Sequence, residues 1–337
     1  MRLLWSCSFG LLVWLLPLRG SSQVWRLPTD NRAILAPGGE DRYFAGTAGK
    51  PWISGTFGSV RTDGRQIHEG LDIRCLQRDK KGEPLDPVYA VADGTVVYIN
   101  AKPGLSNYGN YLVLRHQIEG IQVYSLYAHL RRFQAGLRPG QGVKAGDALG
   151  IMGRTSNTPE VIARDRAHLH FELNLLVNER FAPWYQKNCP GQRNDHGAWN
   201  GRNLAGFDPR PMLLAQAKPG GGFSLLPFLR QQTELCRVLV RKTDFPWIRR
   251  YPAFVLRNLR AEKEGVAGYE ISLNFNGLAF RLVPRAAAEM RGQSAYQLLA
   301  VNAEEQRRNP GRHLVAQQGG RWRLTQQGLH CLDLLTY

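Results

Sequence analysis

The sequence predicts a mainly β protein: an antiparallel β-sheet domain followed by a smaller α+β C-terminal domain. Three observations carry this. From Phe57 to about Leu214 the chain is a series of short β-like runs separated by glycine. Within it, His168-Leu-His-Phe-Glu-Leu-Asn-Leu175 alternates strictly between polar and apolar residues, the period of a half-buried strand. Further on, Tyr269–Phe275 and Leu278–Val283 flank Asn276-Gly277, the dipeptide favoured in the type I′ turn of a hairpin.

Taken in order, the chain opens with Met1-Arg2, a 16-residue apolar run Leu3–Leu18, and Arg19-Gly20-Ser21-Ser22. A basic start, an apolar middle and small residues at a cleavage point predict an export signal over 1–22. The run falls short of the roughly 20 residues a bilayer span requires, so no integral membrane association is expected after cleavage. Residues 23–45, with Pro28, Pro37, Gly38 and Gly39, lack periodicity and are expected to form an N-terminal extension. A main domain is expected over 46–217. In it, Val88–Tyr98 is expected to form a hairpin turning at Asp93-Gly94, and Tyr111–Arg115 and Val123–Tyr127 two further strands. Lys218-Pro-Gly-Gly-Gly222 has the composition of a linker over 218–222. Residues 223–337 then form a second unit of unassigned role, in which Leu225–Val240 carries apolar residues at helical spacing.

The 337 residues carry a net charge of +17. Loss of residues 1–22 removes two positive charges, and of the remaining +15 the second unit holds +8. So basic a chain suits an acidic partner: nucleic acid, anionic lipid or bacterial wall polymer. Export argues against nucleic acid, and no Cys/His finger or continuous basic helix is present. Cys75, Cys189, Cys236 and Cys331 would remain after cleavage, an even number in an exported chain. The domain division suggests the pairs Cys75–Cys189 and Cys236–Cys331.

Three segments carry metal chemistry. His68-Glu-Gly-Leu-Asp72 places aspartate where a helical zinc motif has its second histidine, and Gly70 suits an extended chain. Extended residues four apart share a face, so His68 and Asp72 can reach one ion. The strand at 168–175 presents His168 and His170 side by side. Tyr124-Ser-Leu-Tyr-Ala-His129 ends a third strand in a histidine. Zinc takes three nitrogen or oxygen ligands and an open position, which His68, Asp72 and one histidine of the pair supply. The other imidazoles are then available for proton transfer. His116, His196, His313 and His330 are read as structural. Glu69, next to His68 on an extended chain, faces away from the metal and is no candidate for a glutamate base. Glu172 shares the histidine face and is placed to orient an imidazole.

These segments resemble the lysostaphin-type, or β-lytic, zinc metallopeptidase family. The resemblance runs from Phe57-Gly58 to about Asp208-Pro209 through His68–Ile73, Pro87–Val97, Tyr108–His116, Tyr127-Ala-His-Leu130, Val143–Gly153 and His168–Glu172. It implies a lysostaphin-like antiparallel sheet of the duplicated hybrid motif type, with a groove over the metal. It implies Zn2+ held by His68, Asp72 and His170, with His129 and His168 catalytic. The implied activity is hydrolysis of peptide bonds in the stem or cross-bridge peptides of bacterial peptidoglycan. An exported monomer, periplasmic or extracellular, is expected.

The sequence departs from the family pattern at Thr155-Ser156-Asn157 and Ala167, and Arg154–Ala167 is an altered loop of the kind that walls the groove. Residues 177–206 are an insertion with Trp184, Tyr185, Cys189 and Trp199, expected to cap the sheet rather than line the groove. Some relatives are held latent by an N-terminal asparagine on the metal, a role for which Asn31 is the candidate here. A non-catalytic wall-binding activator or scaffold is the alternative, and a pure binding module for anionic wall polymer a third reading. Both are disfavoured because all five metal and catalytic positions are filled.

Overall fold

The computed structural model describes residues 25–61, 66–158, 162–216 and 222–337. The expected export signal and nearly all of the expected linker lie outside the described residues. The described chain is strand-rich and its sheets are antiparallel, as the alternation in the sequence predicts.

Strand His168–Leu176 organises the largest sheet and is buried throughout. One edge pairs with Ile121–Ala128; the other takes Leu71–Arg74 and then Leu204–Phe207. Beyond Ile121–Ala128 follow Tyr111–Ile118, Gly94–Asn100 and Gly142–Val143, giving seven strands among the described residues. Tyr111–Ile118 and Ile121–Ala128 form one hairpin around Glu119 and Gly120, both at positive φ. The strand alternation sorts the two faces. Leu112 and Leu114 join the main apolar cluster with Leu169 and Phe171, whereas Tyr111 and Val113 join a second cluster with Tyr124, Leu126, Leu176 and Leu204. Trp199 packs on this second cluster, while Phe181, Trp184, Tyr185 and Cys189 form a third with Leu334. Trp199 therefore caps the sheet, as expected, whereas Trp184, Tyr185 and Cys189 pack with Leu334 of the C-terminal helix instead.

Several local expectations are corrected. Pro87–Tyr89 and Gly94–Asn100 belong to different sheets and form no hairpin at Asp93-Gly94. Pro87–Tyr89 instead pairs with Ala148–Ile151, and Ala90, Val91 and Ala92 are wholly buried as the chain passes between sheets. The Leu225–Val240 pattern splits into a helix, Leu225–Arg230, and a strand, Cys236–Val240. The β-branched Val238 and Val240 occupy an inner strand bonded on both edges. Strands Gly268–Leu273 and Ala279–Arg285 do pair around Asn276-Gly277. Of that dipeptide only Gly277 has positive φ, so the turn is not type I′. Asn274 organises it instead, its Oδ1 accepting from the amides of Asn276 and Leu278.

The four cysteines are free thiols, contrary to the expected Cys75–Cys189 and Cys236–Cys331 disulfides. Cys75 donates to Asp86 and to the Gln77 carbonyl, whereas Cys189 accepts from Arg202, so the supposed partners have unrelated surroundings. Cys331 is turned toward the Gly277 carbonyl. Burial pushes Cys236 up to about 12 and Cys331 up to about 11. The N-terminal segment is no loose extension: Trp25, Ile34, Tyr43 and Phe44 belong to the main core.

The second sheet has the order Ala279–Arg285, Gly268–Leu273, Cys236–Val240, Tyr296–Val301. It lies against the first through specific contacts. Asn276 Nδ2 donates to the Gly206 carbonyl at 2.8 Å, Tyr251 Oη accepts from the Leu176 amide at 2.9 Å, and Asn178 Nδ2 donates to the Leu334 carbonyl at 2.7 Å. The rings of Phe57 and Phe275 meet at 5.9 Å. These contacts back the segment that leads into His68. No helix of the described residues is long and apolar enough to cross a membrane.

Candidate metal centre

The register of strand His168–Leu176 builds the centre. His170 lies opposite Asp72 on one side and Ala128 on the other, and Ala128 leads into His129. Three distant segments thus bring their side chains to one point because a single strand pairs with both neighbours there. His68 sits just outside strand Leu71–Arg74 rather than on one continuous strand, since the chain bends at Gly70. A Cβ at Gly70 would lie 2.4 Å from the Phe171 carbonyl oxygen, so only glycine lets the bend approach the strand this closely. His129 adopts φ +61°, a left-handed conformation uncommon outside glycine.

His68 Nε2, Asp72 Oδ1 and His170 Nδ1 form a triangle with sides of 2.9, 3.0 and 3.0 Å. Ligands about 2.0–2.1 Å from a tetrahedral zinc would stand roughly 3.3 Å apart, close to this spacing. Each ligand is held from behind. His68 Nδ1 donates to the Thr56 carbonyl at 3.0 Å, leaving Nε2 unprotonated for the ion. His170 Nε2 lies 2.7 Å from Glu172 Oε1, leaving Nδ1 for the ion. Arg61 donates to Asp72 Oδ2 at 3.1 Å, leaving Oδ1 for the ion. Glu172 is itself fixed by Tyr108 Oη at 2.7 Å and Asn174 Nδ2 at 2.8 Å.

The electrostatics favour a cation. His68, Asp72 and His170 are at most 6% exposed. Burial alone would raise Asp72, but the charges of His68 and His168 and hydrogen bonds from His170 and His68 hold it well below the usual carboxylate range. Burial pushes His170 down, yet Asp72 and Glu172 more than offset this and raise it to about 10. Two carboxylates around one imidazole demand positive charge, and a divalent ion meets that demand while displacing the proton. The residues present fit the metal.

His129 and His168 flank this triangle, their rings 4.9 Å apart. His129 Nδ1 faces the Thr155 carbonyl at 2.8 Å and His168 Nδ1 the Arg166 carbonyl at 2.7 Å. Both carbonyls accept only, so each Nδ1 carries the proton and each Nε2 holds a lone pair. His168 Nε2 stands 3.6 Å from Asp72 Oδ1. Burial is the largest cause lowering both histidines, and His129 falls to about 3, so both rings are neutral at pH 7.

All five residues singled out in the sequence converge here. Asn31 does not: it is buried elsewhere, donating to the Arg42 and Arg74 carbonyls, which removes it as an inhibitory ligand. His116 bridges the Asp93 carbonyl and Ser125 inside the sheet, in keeping with a structural role. Sequence reading missed Tyr108 and Arg61. Tyr108 opens one of the quoted motifs, but nothing local marks its hydroxyl as the partner of a glutamate 64 residues away.

Residues 66–182 match the model of peptidase family M23. The chain is also similar to three solved structures. A Ruminococcus gnavus protein assigned as the glycyl-glycine endopeptidase lytM is 27% identical over 44% of this chain and 46% of that one, TM-score 0.28. A zinc-containing peptidase from Vibrio cholerae is 26% identical over 40% and 36%, TM-score 0.26. The catalytic domain of lysostaphin from Staphylococcus simulans is 20% identical over 47% and 88%, TM-score 0.29. The chain thus spans less than half the length of the first two. The matched segment, residues 66–182, holds the metal cluster and both flanking histidines, and in it the chain is similar to peptidase family M23.

Proposed function

We propose that the chain is a zinc-dependent endopeptidase that hydrolyses peptide bonds in peptidoglycan. His68, Asp72 and His170 are its ligands, and His129 and His168 its catalytic histidines. The observation that carries this reading is the pair of unprotonated Nε2 atoms beside a triangle of three metal-ligand atoms. Zinc, when bound, supplies Lewis acidity toward a water and a carbonyl oxygen.

The chain's own residues do the remaining work. A neutral imidazole with its lone pair at Nε2 accepts a proton from the attacking water and returns it to the leaving amine. The second imidazole, neutral with its lone pair at Nε2, accepts a hydrogen bond from the attacking water and orients it, while the first, charged by the proton it has taken, stabilises the oxygen on which negative charge develops. The Thr155 and Arg166 carbonyls keep each ring in the tautomer this requires. Glu172 and Arg61 hold the ligand side chains in place.

Export to the periplasm or medium is part of the proposal, as is a two-part organisation in which residues 223–337 support the peptidase segment. The test is zinc analysis of the purified chain with digestion of a peptidoglycan suspension, followed by turbidity and by mass spectrometry of released peptides. Zinc binding and clearing by the wild type, both lost in His170→Ala and Asp72→Ala, are expected. Clearing that survives either substitution would defeat the reading.

A further inference from the structure

The two histidines beside the metal cluster are steered from one loop. His129 Nδ1 donates to the Thr155 carbonyl at 2.8 Å and His168 Nδ1 to the Arg166 carbonyl at 2.7 Å. Thr155 and Arg166 stand at the two ends of Arg154–Ala167, where the sequence departs from the lysostaphin-type pattern. Whatever fixes those two ends therefore fixes which nitrogen of each ring carries the proton.

A single carboxylate ties the ends together. Glu83 Oε1 and Oε2 accept from Arg154 Nε at 3.2 and 3.1 Å, and Oε1 also accepts from Arg154 Nη2 at 2.9 Å. Arg154 immediately precedes Thr155. Glu83 Oε1 accepts as well from Arg164 Nε at 3.1 Å, two residues before Arg166. Arg78 completes the clamp. Its guanidinium donates to the carbonyls of Arg164 and Asp165, the latter at 3.1 Å, and to the Gly82 carbonyl at 3.1 Å. The base of the clamp is itself closed: Arg78 bridges Pro84, and Asp79 Oδ1 accepts from the amides of Lys81 at 2.8 Å and Glu83 at 3.0 Å. Arg131, two residues beyond His129, donates to Asp79 Oδ2 at 3.3 Å and to the Pro84 carbonyl at 3.2 Å. An isolated surface ion pair holds little in place. Here one carboxylate is shared by two guanidiniums, and the pairing with Arg154 is bidentate, with the Arg154 and Glu83 side chains only 27% and 22% exposed.

We propose that Glu83 is a positioning residue for both histidines: by clamping Arg154 and Arg164 it holds the Thr155 and Arg166 carbonyls on His129 and His168 and leaves both Nε2 lone pairs free to accept. This role rests on the peptidase reading and deepens it. Glu83 has no part in bond breaking; among the described residues its carboxylate bonds only to Arg154 and Arg164. Without the clamp the two carbonyls are free to leave the rings. A neutral imidazole that loses the acceptor at Nδ1 can carry its proton at Nε2 instead, and there it no longer accepts from water.

The test compares the full zinc-loaded chain with Glu83→Ala and the near-isosteric Glu83→Gln. Zinc content, kinetics on soluble cross-linked peptidoglycan fragments and imidazole nitrogen NMR are measured, with His129→Gln and His168→Gln assigning the signals. The wild type should show Nδ1 protonated and Nε2 unprotonated in both rings. Glu83→Ala should keep its zinc and lose about 10–100-fold in kcat, the cost of a small misplacement of reacting groups. Its KM should change by less than about threefold, because ground-state binding is untouched. At least one ring should shift toward the Nε2-protonated form, and Glu83→Gln, which keeps an acceptor, should lie between. Imidazole signals unmoved in both variants would overturn the positioning role. So would a rise in KM with kcat intact, which would make Glu83 a groove residue alone. If Glu83→Ala does not fold, Glu83→Gln decides by the same signals. If the wild type cuts nothing, the peptidase reading fails, and the imidazole signals still decide the clamp: a shift in Glu83→Gln supports it and none overturns it.

Discussion

Nε2 of His170 stands 2.7 Å from Oε1 of Glu172, on the opposite side of the ring from Asp72 and His68. That contact fixes which nitrogen faces the ion. Burial alone would raise the Glu172 carboxyl, but hydrogen bonds from His170, Asn174 and Tyr108 hold it below its ordinary value, so it stays an acceptor. Replacing Glu172 with Gln removes the negative charge and loosens the ring. Partners of this kind typically change metal affinity by about 10–100-fold. Competition with a zinc chelator should show a loss of that order in Glu172→Gln and a smaller one in Tyr108→Phe. Unchanged affinity in Glu172→Gln would show that the contact does not orient the ligand.

His129 and His168 lie outside the ligand triangle, which separates their loss from metal loss. His129→Gln and His168→Gln should each retain the zinc content of the wild type and lose about 10²–10⁴-fold in kcat, the usual contribution of a proton-transfer group. Because the two act on one reaction coordinate, the double variant should fall far short of the product of the single losses. A single variant with near-normal kcat would remove that histidine from the mechanism. Loss of zinc in either would reassign it to the ligand set.

Gly70 tests the backbone that carries the ligands. The Cβ of Gly70→Ala would approach the Phe171 carbonyl oxygen to 2.4 Å and Glu172 Cγ to 2.8 Å, so the bend must move. Strain of this kind costs about 1–3 kcal/mol. Because the bend lies between His68 and Asp72, the cost should appear as weaker zinc binding as well as a lower melting temperature. A variant melting like the wild type with unchanged zinc affinity would show that the bend tolerates a side chain.

The centre was legible in the sequence because each ligand sits in a short motif, and because two-residue alternation places His168 and His170 on one face whatever surrounds them. What supports the centre was not. Arg61 reaches Asp72 from the short strand Val60–Arg61, and Tyr108 reaches Glu172 from 64 residues away; neither contact leaves a local pattern. The same distinction explains the misread elements. Asp93-Gly94 has hairpin chemistry, but Pro87–Tyr89 is claimed by Ala148–Ile151, so long-range pairing overrides the local signal. Leu225–Val240 carries helical spacing only until Cys236-Arg-Val-Leu-Val240 is claimed as an inner strand.

His116 links the sheet to pH. It is 1% exposed, with Nδ1 at 2.8 Å from the Asp93 carbonyl and Nε2 at 2.7 Å from Ser125 Oγ. Burial lowers it to about 4 from an ordinary value of 6.5, against the weaker upward pull of Asp93. The unfolded chain therefore binds this proton at higher pH than the folded chain does. Stability from the neutral ring is fully present above about pH 6.5 and is lost as pH falls toward 4, at up to about 1.4 kcal/mol per pH unit. Across the whole window the loss is about 3 kcal/mol. In His116→Gln no proton is taken up, so the stability difference between wild type and variant, measured by urea unfolding, should be flat above pH 6.5 and shift in favour of the variant as pH falls to 4. A difference independent of pH would mean that His116 is not held neutral by the fold.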